Sequence, residues 1–387
     1  MSVSESLRLR REVSPLELFY DLVFAFAVSQ LSHHLLEHLT WRGAAQTAVL
    51  LVGVFGTWAY TSMVATLLDI DRAVTRWMVL IVMGLGLYMN AAIPAAFADR
   101  AWAFMVPLLV ILFFVAGVTA TAGHSEGLRE HFRRTLVWIT VAAPLWIVGA
   151  CVGSGPRLWW WAAAALIDVT GTWLAHPLPG RVLGSRQLGF DADHMVERLR
   201  LFFIIVLGET VLTAGRALAD APVEWSTVLA GAGVFTALVC LWSVYFGGGE
   251  DVFRTAVATT DNPLRSVRMG VNSAYVVLAA LVAMAVGSEL VVAHPLGHGS
   301  VALALLLFGG LALYLAATAW FFRATARGAW TERLLAGAAC VPAAFAAVWL
   351  PPLVSVALLD LILLLTVVSL TRAHRRVAGG LREASAG

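Results

Sequence analysis

Long, nearly unbroken apolar segments are the feature that most constrains how this chain can fold. Residues 201–207 carry no polar side chain, and residues 354–365 carry very few. A helix needs roughly 20 mainly apolar residues to cross the hydrocarbon core of a bilayer, which is about 30 Å thick. Charged residues make up only 13% of the chain, where a soluble domain has about 25%. The sequence therefore predicts an all-α, polytopic integral membrane helical bundle.

Clusters of Pro and Gly divide the apolar segments into about twelve transmembrane helices. Pro177 to Gly180 and Pro351-Pro352 are two of these boundaries. The predicted helices are 15–36, 43–68, 74–96, 101–122, 135–153, 158–175, 195–218, 225–247, 264–291, 299–322, 332–350 and 353–371.

The distribution of arginine supports this number and indicates an orientation. Cytoplasmic segments of bacterial membrane proteins are rich in Arg and Lys. With twelve helices and both termini on the cytoplasmic side, the 26 cationic residues all fall in cytoplasmic segments except Arg42, Arg100, Arg157 and Arg216. We therefore expect a multi-pass protein of the bacterial inner membrane with cytoplasmic N- and C-termini.

The two halves of the chain show weak sequence similarity, and the similar residues occur in the same order in both halves. The matches pair Glu17 with Glu197, Trp58 with Trp242, Arg76 with Arg268, and Asp168 with Asp360. Six helices per half would make a parallel repeat about an axis along the membrane normal, although apolar helices also resemble each other by chance. The predicted organisation is an N-terminal cytoplasmic segment (1–13), a first six-helix half (14–176), a connecting loop (177–193), a second half (194–371) and a C-terminal tail (372–387).

The start of the first helix holds two acids. An ionisable group in hydrocarbon costs at least about 2.5–3.5 kcal/mol, so it needs a partner, a proton or water. Ser14 can cap the helix and Pro15 suits its first position, and the helix dipole favours Glu17 in the first turn. Asp21 lies one turn deeper on the same face. A second acid at this position implies a basic partner from another helix.

The start of the predicted seventh helix supplies candidate partners. Glu197 and Arg198 point about 100° apart on a helix, so we expect them to contact different groups. Arg198 or Arg200 is a candidate partner for the two acids of the first helix, and snorkelling of the arginines to the membrane interface is the alternative. The predicted cytoplasmic gate or ion-pair network consists of Glu17, Asp21, His194, Glu197 and Arg198.

Further polar groups lie near the middle of the membrane. Glu209 is about 12 Å beyond Leu201 along the helix, and no capping or interface argument explains it. Asp168 and Asp360 also lie near the middle of their helices. Buried asparagines such as Asn90 and Asn272 can simply tie helices together, whereas acids at this depth are harder to explain in that way. The predicted ion, proton or substrate path consists of Glu209, Asp168, Asp360, Asn90 and Asn272, and the predicted aromatic lining consists of Trp58, Trp242 and Tyr245.

Other signals exclude several classes of function. His34 and His38 are spaced for a zinc ion only if a third ligand approaches, and scattered interfacial histidines are commoner. The sequence contains no phosphate loop, dinucleotide fingerprint, nucleophile elbow or zincin motif, and no basic arm that favours nucleic acid. We therefore predict no metal, no cofactor and no nucleic-acid partner.

Three segments resemble the bacterial low temperature requirement A (LtrA) family over roughly residues 12–370. They are Ser14-Pro-Leu-Glu-Leu-Phe-Tyr-Asp-Leu-Val-Phe24, His194-x-x-Glu-Arg198 leading to Gly208-Glu209, and Leu241-Trp-x-x-Tyr-Phe246. In the last segment Ser243 stands where the family often has a second Trp. The resemblance implies a multi-pass membrane protein with a role in growth at low temperature, and it implies no substrate or reaction.

The leading hypothesis is a secondary transporter or proton-coupled channel for a small solute, because unexplained acids lie at the depth where such proteins place their sites. One alternative is a membrane-embedded enzyme acting on a lipid-soluble substrate, for which the sequence shows no nucleophile or metal set. Another is a non-catalytic membrane protein that supports growth in the cold. The expected partners are the lipid bilayer and a solute or proton, and homo-oligomerisation stays open.

Overall fold

The computed structural model describes residues 13–68, 70–122, 126–178, 192–247, 263–325 and 329–386, and within them it is built from helices without β-strands. The all-α prediction is confirmed. The helices are α1 (Pro15–Glu37), α2 (Trp41–Leu68), α3 (Ala73–Ala91), α4 (Ala101–Ala122), α5 (Glu126–Cys151), α6 (Ser154–Leu174), α7 (Ala192–Asp220), α8 (Trp225–Phe246), α9 (Pro263–Ala293), α10 (Val301–Thr325, with a π-helical turn at Leu305–Gly309), α11 (Trp330–Ala347) and α12 (Pro352–Ala386).

Two helices extend well beyond their predicted ends. Helix α5 begins at Glu126, about two turns before residue 135, and α12 continues to Ala386, past residue 371. In α5 the additional turns are charged, and Arg134 pairs with Glu130 at 3.2 Å. Hydropathy marks only the apolar part of a helix, so it misses such extensions. The predicted segments 1–13 and 177–193 lie largely outside the described residues.

Nine helices in the described part of the chain are long and apolar enough to cross a membrane. The remaining three, α1, α6 and α11, have lower hydropathy because they carry ionisable residues such as Asp21, Arg157 and Arg333. These three residues are at most 6% exposed, so their charges face protein and not lipid. The chain is therefore a multi-pass membrane protein, as predicted.

Backbone carbonyl groups accept hydrogen bonds from two of the buried arginines, Arg157 and Arg333. Arg157 donates to four carbonyl oxygens at 2.9–3.1 Å. Arg333 donates to the carbonyl oxygens of Ala329 and Val244 at 2.8 and 3.3 Å, and its guanidinium lies 4.0 Å from the ring centroid of Phe322. Carbonyl groups at helix ends lack helical partners, so these arginines tie neighbouring helices together.

The helices pack in the same order in both halves. In the first half, α1 packs on α3, and α4, α5 and α6 follow in turn until α6 closes on α2. In the second half, α7 packs on α9, and α10, α11 and α12 follow until α12 closes on α8. Helices α1, α2 and α6 meet α7 and α9 where the halves join. A parallel repeat predicts this equivalence, and the repeat itself remains a prediction.

Candidate functional site

The first turn of α1 orients Glu17 towards the neighbouring half of the protein. The Ser14 side chain accepts a hydrogen bond from the Glu17 amide at 3.3 Å, and Glu17 Oε2 accepts from the amide and hydroxyl of Ser14 at 2.9 and 3.0 Å. Pro15 occupies the first helical position. This reciprocal cap uses one carboxylate oxygen of Glu17, which leaves Oε1 for a partner on another helix.

The first turns of α7 provide that partner and a second one. His194 Nε2 lies 2.9 Å from Glu17 Oε1, and Arg198 donates from Nη2 to Asp21 Oδ1 at 2.8 Å. Arg198 Nη1 is also 3.7 Å from Glu17 Oε1. Both hydrogen bonds join residues 177 positions apart, so α1 and α7 lie in parallel register. We call Glu17, Asp21, His194 and Arg198 the charged junction.

Aromatic side chains enclose the charged junction. The indole of Trp58 donates to Asp21 Oδ1 at 2.7 Å. The guanidinium of Arg198 lies 5.4 Å from the ring centroid of Tyr20 and 5.8 Å from that of Trp58, within the range of cation–π attraction. Phe202 stacks on Trp58 with a centroid distance of 4.3 Å. Each of the four charged side chains is at most 1% exposed, so the rings exclude solvent from the junction.

The charge of the junction changes with a single proton. Two carboxylates face one guanidinium, which stays protonated in proteins, so these four side chains carry a net charge of −1 unless His194 or a carboxyl binds a proton. Asp21 Oδ2 and Arg198 Nε, both buried, have no hydrogen-bond partner among the described residues. The junction is therefore a buried group of ionisable side chains whose net charge depends on the protonation of its members.

The opposite face of α7 lines a cavity. Glu197 and Arg200 form an ion pair at 3.2 Å, and their side chains are 41% and 20% exposed. They stand at the edge of a cavity of about 100 Å³ enclosed by α7, α8, α9 and α10. Phe203 and Tyr245 stack at 3.8 Å in its wall. Glu197 and Arg198 thus contact different partners, as their angular separation predicts.

The three acids predicted for the middle of the membrane lie in separate places. Glu209 is half-buried on α7, without a side-chain partner in the described part of the chain. Asp168 Oδ2 accepts from the indole of Trp146 at 3.1 Å. Asp360 faces Gly233 of α8, and its buried Oδ1 atom has no hydrogen-bond partner in the described ranges. They do not form one cluster, so their role in a path remains a prediction.

The predicted asparagines and aromatic residues are also dispersed. Asn90 of α3 donates to the carbonyl oxygen of Val23 in α1 at 2.8 Å, and Asn272 is buried in α9. The structure places Trp58 in the charged junction and Tyr245 in the cavity wall. Trp242 is 49% exposed on the outside of the bundle and does not line this cavity.

Sequence reasoning missed Tyr20 and Phe202, which enclose Arg198. A signal for both was present. Tyr20 precedes Asp21, and Phe202 follows Arg198 by four residues, which places it on the same helix face. For His34 and His38, the structure shows that each Nδ1 atom lies within hydrogen-bond distance of a backbone carbonyl oxygen, at 3.2 and 3.0 Å.

Comparisons with known proteins cover both halves of the chain. The family model described as "Bacterial low temperature requirement A protein (LtrA)" matches residues 12–368. A protein of Rhizobium meliloti (strain 1021), described as uncharacterized, is 29% identical over 320 residues, which is 80% of this chain and 77% of that protein. No solved structure matches. The range that the family model matches includes the charged junction, and neither description states a substrate or a reaction.

Proposed function

We propose that this chain, which belongs to the bacterial low temperature requirement A (LtrA) family, is a secondary transporter or proton-coupled channel for a small solute. The observation that carries the proposal is the charged junction, in which Glu17 and Asp21 of the first half meet His194 and Arg198 of the second half. The proposed location is the bacterial inner membrane, with both termini cytoplasmic.

The position of the junction supports a role in movement between the halves. Transporters built from two repeats bind solute and coupling ions at the interface of the repeats, and one repeat rocks against the other. Among the described residues, His194 and Arg198 of α7 contact the acids of α1. A change in charge here alters the attraction between the two halves directly.

The small net contribution of buried ion pairs to stability also favours a functional role for the charged junction over a purely structural one. Replacing a buried ion pair with well-packed apolar residues is often neutral or stabilising, because desolvation offsets the attraction. Ionisable residues inside membranes commonly mark ion and substrate paths. Stability alone therefore does not require four ionisable side chains at the junction.

The coupling step that we propose is protonation at the Glu17–His194 contact. When His194 carries a proton, the four side chains are electrically neutral and hold α1 against α7. When the proton leaves, a net charge of −1 remains in a region that excludes water, where it is costly. The junction then favours opening to solvent. The proposed onward path includes Glu209, Asp168 and Asp360, with Asn90 and Asn272 as polar groups.

Proton flux into proteoliposomes tests this proposal. His194→Gln is the sharpest variant, because the Gln amide can donate to Glu17 but cannot bind a proton. We expect proton flux to fall by about tenfold or more, because a positioned proton-transfer group typically contributes at least that factor. Glu209→Gln tests the onward path, and the exposed Glu224→Gln is the matched acid-to-amide control.

Two results would overturn the proposal. One is proton flux in His194→Gln equal to that of the wild type, since the junction would then take no part in coupling. The other is an absence of flux in the wild type at both room and low temperature, which would favour a non-catalytic role for the junction as a tie between helices.

A further inference from the structure

We propose that the cavity between α7, α8, α9 and α10 binds a small organic cation, an amine that carries one aromatic ring or a short alkyl group. Its role as the transported solute rests on the function proposed above. Its existence as a binding site rests only on the cavity, which the charged junction does not line.

The size of the cavity limits the apolar part of the ligand. Its volume of about 100 Å³ is somewhat below the roughly 150 Å³ of an engineered protein cavity that binds benzene. Its wall includes Phe202, which also stacks on Trp58 beside the charged junction, and the apolar residues Val277 and Leu278. The apolar part of the ligand is therefore no larger than one ring or a short chain, and a phospholipid acyl chain is too long to be enclosed.

Two hydroxyl side chains of the cavity lining use their hydrogens in bonds to the backbone. Ser273 donates its hydroxyl hydrogen to the carbonyl oxygen of Ala317 at 3.1 Å, and Thr318 donates to that of Tyr314 at 2.9 Å. A hydroxyl has one hydrogen and two lone pairs. Because the hydrogens are already used by backbone oxygens, Ser273 and Thr318 offer lone pairs to a ligand. Lone pairs match a ligand that donates hydrogen bonds, as an ammonium group does.

The mouth of the cavity has the charge that such a ligand requires. Two carboxylates, those of Asp193 and Glu197, and one guanidinium, that of Arg200, belong to the lining. Arg200 lies 5.4 Å from the ring centroid of Phe246, so this aromatic wall already holds a cation by its π face. The mouth is accessible, because the side chain of Glu197 is 41% exposed.

Equilibrium dialysis against the full chain in phosphatidylcholine nanodiscs tests the inference, with empty nanodiscs subtracted. The probes are phenethylamine, 3-phenylpropanoate and 2-phenylethanol, which share the ring and differ in the charge of the polar end. We expect saturable binding of phenethylamine, and binding of the anion and the alcohol that is at least about tenfold weaker, because only the cation pairs with the carboxylates at the mouth. Equal binding of all three probes, or no saturable binding of the amine, would overturn the inference.

Substitutions locate the site. Glu197→Gln should weaken phenethylamine binding about fivefold, as expected for one partly exposed charge contact, and Glu224→Gln should leave it unchanged. Ala274→Phe fills the cavity and should abolish binding. If that variant does not elute as a monodisperse protein, Ala274→Leu replaces it. Unchanged binding in a folded cavity-filling variant contradicts the inference.

The same preparation separates this inference from the proposed function. Saturable amine binding without proton flux keeps the binding site and removes the transporter. Proton flux with no amine binding keeps the transporter and removes this ligand class.

Discussion

The first turns of α7 present two ion pairs on opposite faces. On one face, Arg198 meets Asp21 of α1 at 2.8 Å, and both side chains are at most 1% exposed. On the other face, Arg200 meets Glu197 of its own helix at 3.2 Å, with side chains 20% and 41% exposed. Each pair joins an arginine to a carboxylate, and the two distances are similar. The surroundings differ.

This difference determines what each pair can do. Two unit charges attract several times more strongly where water is excluded than at a surface, and a buried charge that loses its partner cannot be hydrated instead. The inner pair therefore holds α1 against α7, while the outer pair lies where water screens its attraction. Substitutions on the two faces should give effects of very different size.

The largest effect is expected from Arg198→Leu. This change leaves the carboxylates of Asp21 and Glu17 buried without their guanidinium partner, which should destabilise the protein by about 3–5 kcal/mol. The matched change on the other face, Arg200→Leu, should cost less than about 1 kcal/mol. Thermal unfolding of the purified variants in the same detergent measures both.

A double variant shows whether Arg198→Leu destabilises the protein through the lost attraction between the two charges or through the unpaired carboxylate that it leaves buried. Adding Asp21→Leu to Arg198→Leu removes the buried acid and should recover much of the stability, since apolar replacement of a complete buried pair is often neutral. The comparison of the two faces fails if Arg200→Leu destabilises the protein as much as Arg198→Leu does.

A smaller effect is expected from Trp58→Phe. The ring remains, but Asp21 loses the indole donor at 2.7 Å, and a hydrogen bond to a charged group contributes about 1.5–3 kcal/mol. Trp242→Phe is the matched control, because Trp242 is 49% exposed on the outside of the bundle and should change stability by less than about 0.5 kcal/mol. Equal shifts in unfolding temperature for the two variants would show that ring size, and not the indole donor, governs the effect.

Hydropathy predicted the helical membrane architecture because it acts locally along the chain, whereas the orientation indicated by charge placement stays a prediction. Each apolar segment must be long enough to span lipid, and each loop carries its own arginines. The same signals could not show that Arg157 and Arg333 are buried, since backbone carbonyl groups from distant residues satisfy them. Burial of a charge is a property of the packed structure.

The candidate site was predictable in part. Two acids on one face of a helix require cations, so a partner for Asp21 was expected on another helix, and Arg198 was one of two candidates. The choice between Arg198 and Arg200 could not be made from the sequence, because it depends on which face of α7 meets α1. The cavity was not predictable either, since it arises where four helices, α7 to α10, pack imperfectly.

The smallest effect is expected from Glu197→Gln. The acid is 41% exposed and pairs with Arg200 within its own helix, so the loss of its charge should reduce stability by less than about 1 kcal/mol, and salt should shrink the difference from the wild type further. Unfolding temperatures at low and high ionic strength measure this, with Glu224→Gln as the reference. A loss that is large and independent of salt would mean that Glu197 acts as a buried charge. The cavity face of α7 would then be a second structural junction, and the cavity mouth would no longer be free to exchange partners with a ligand.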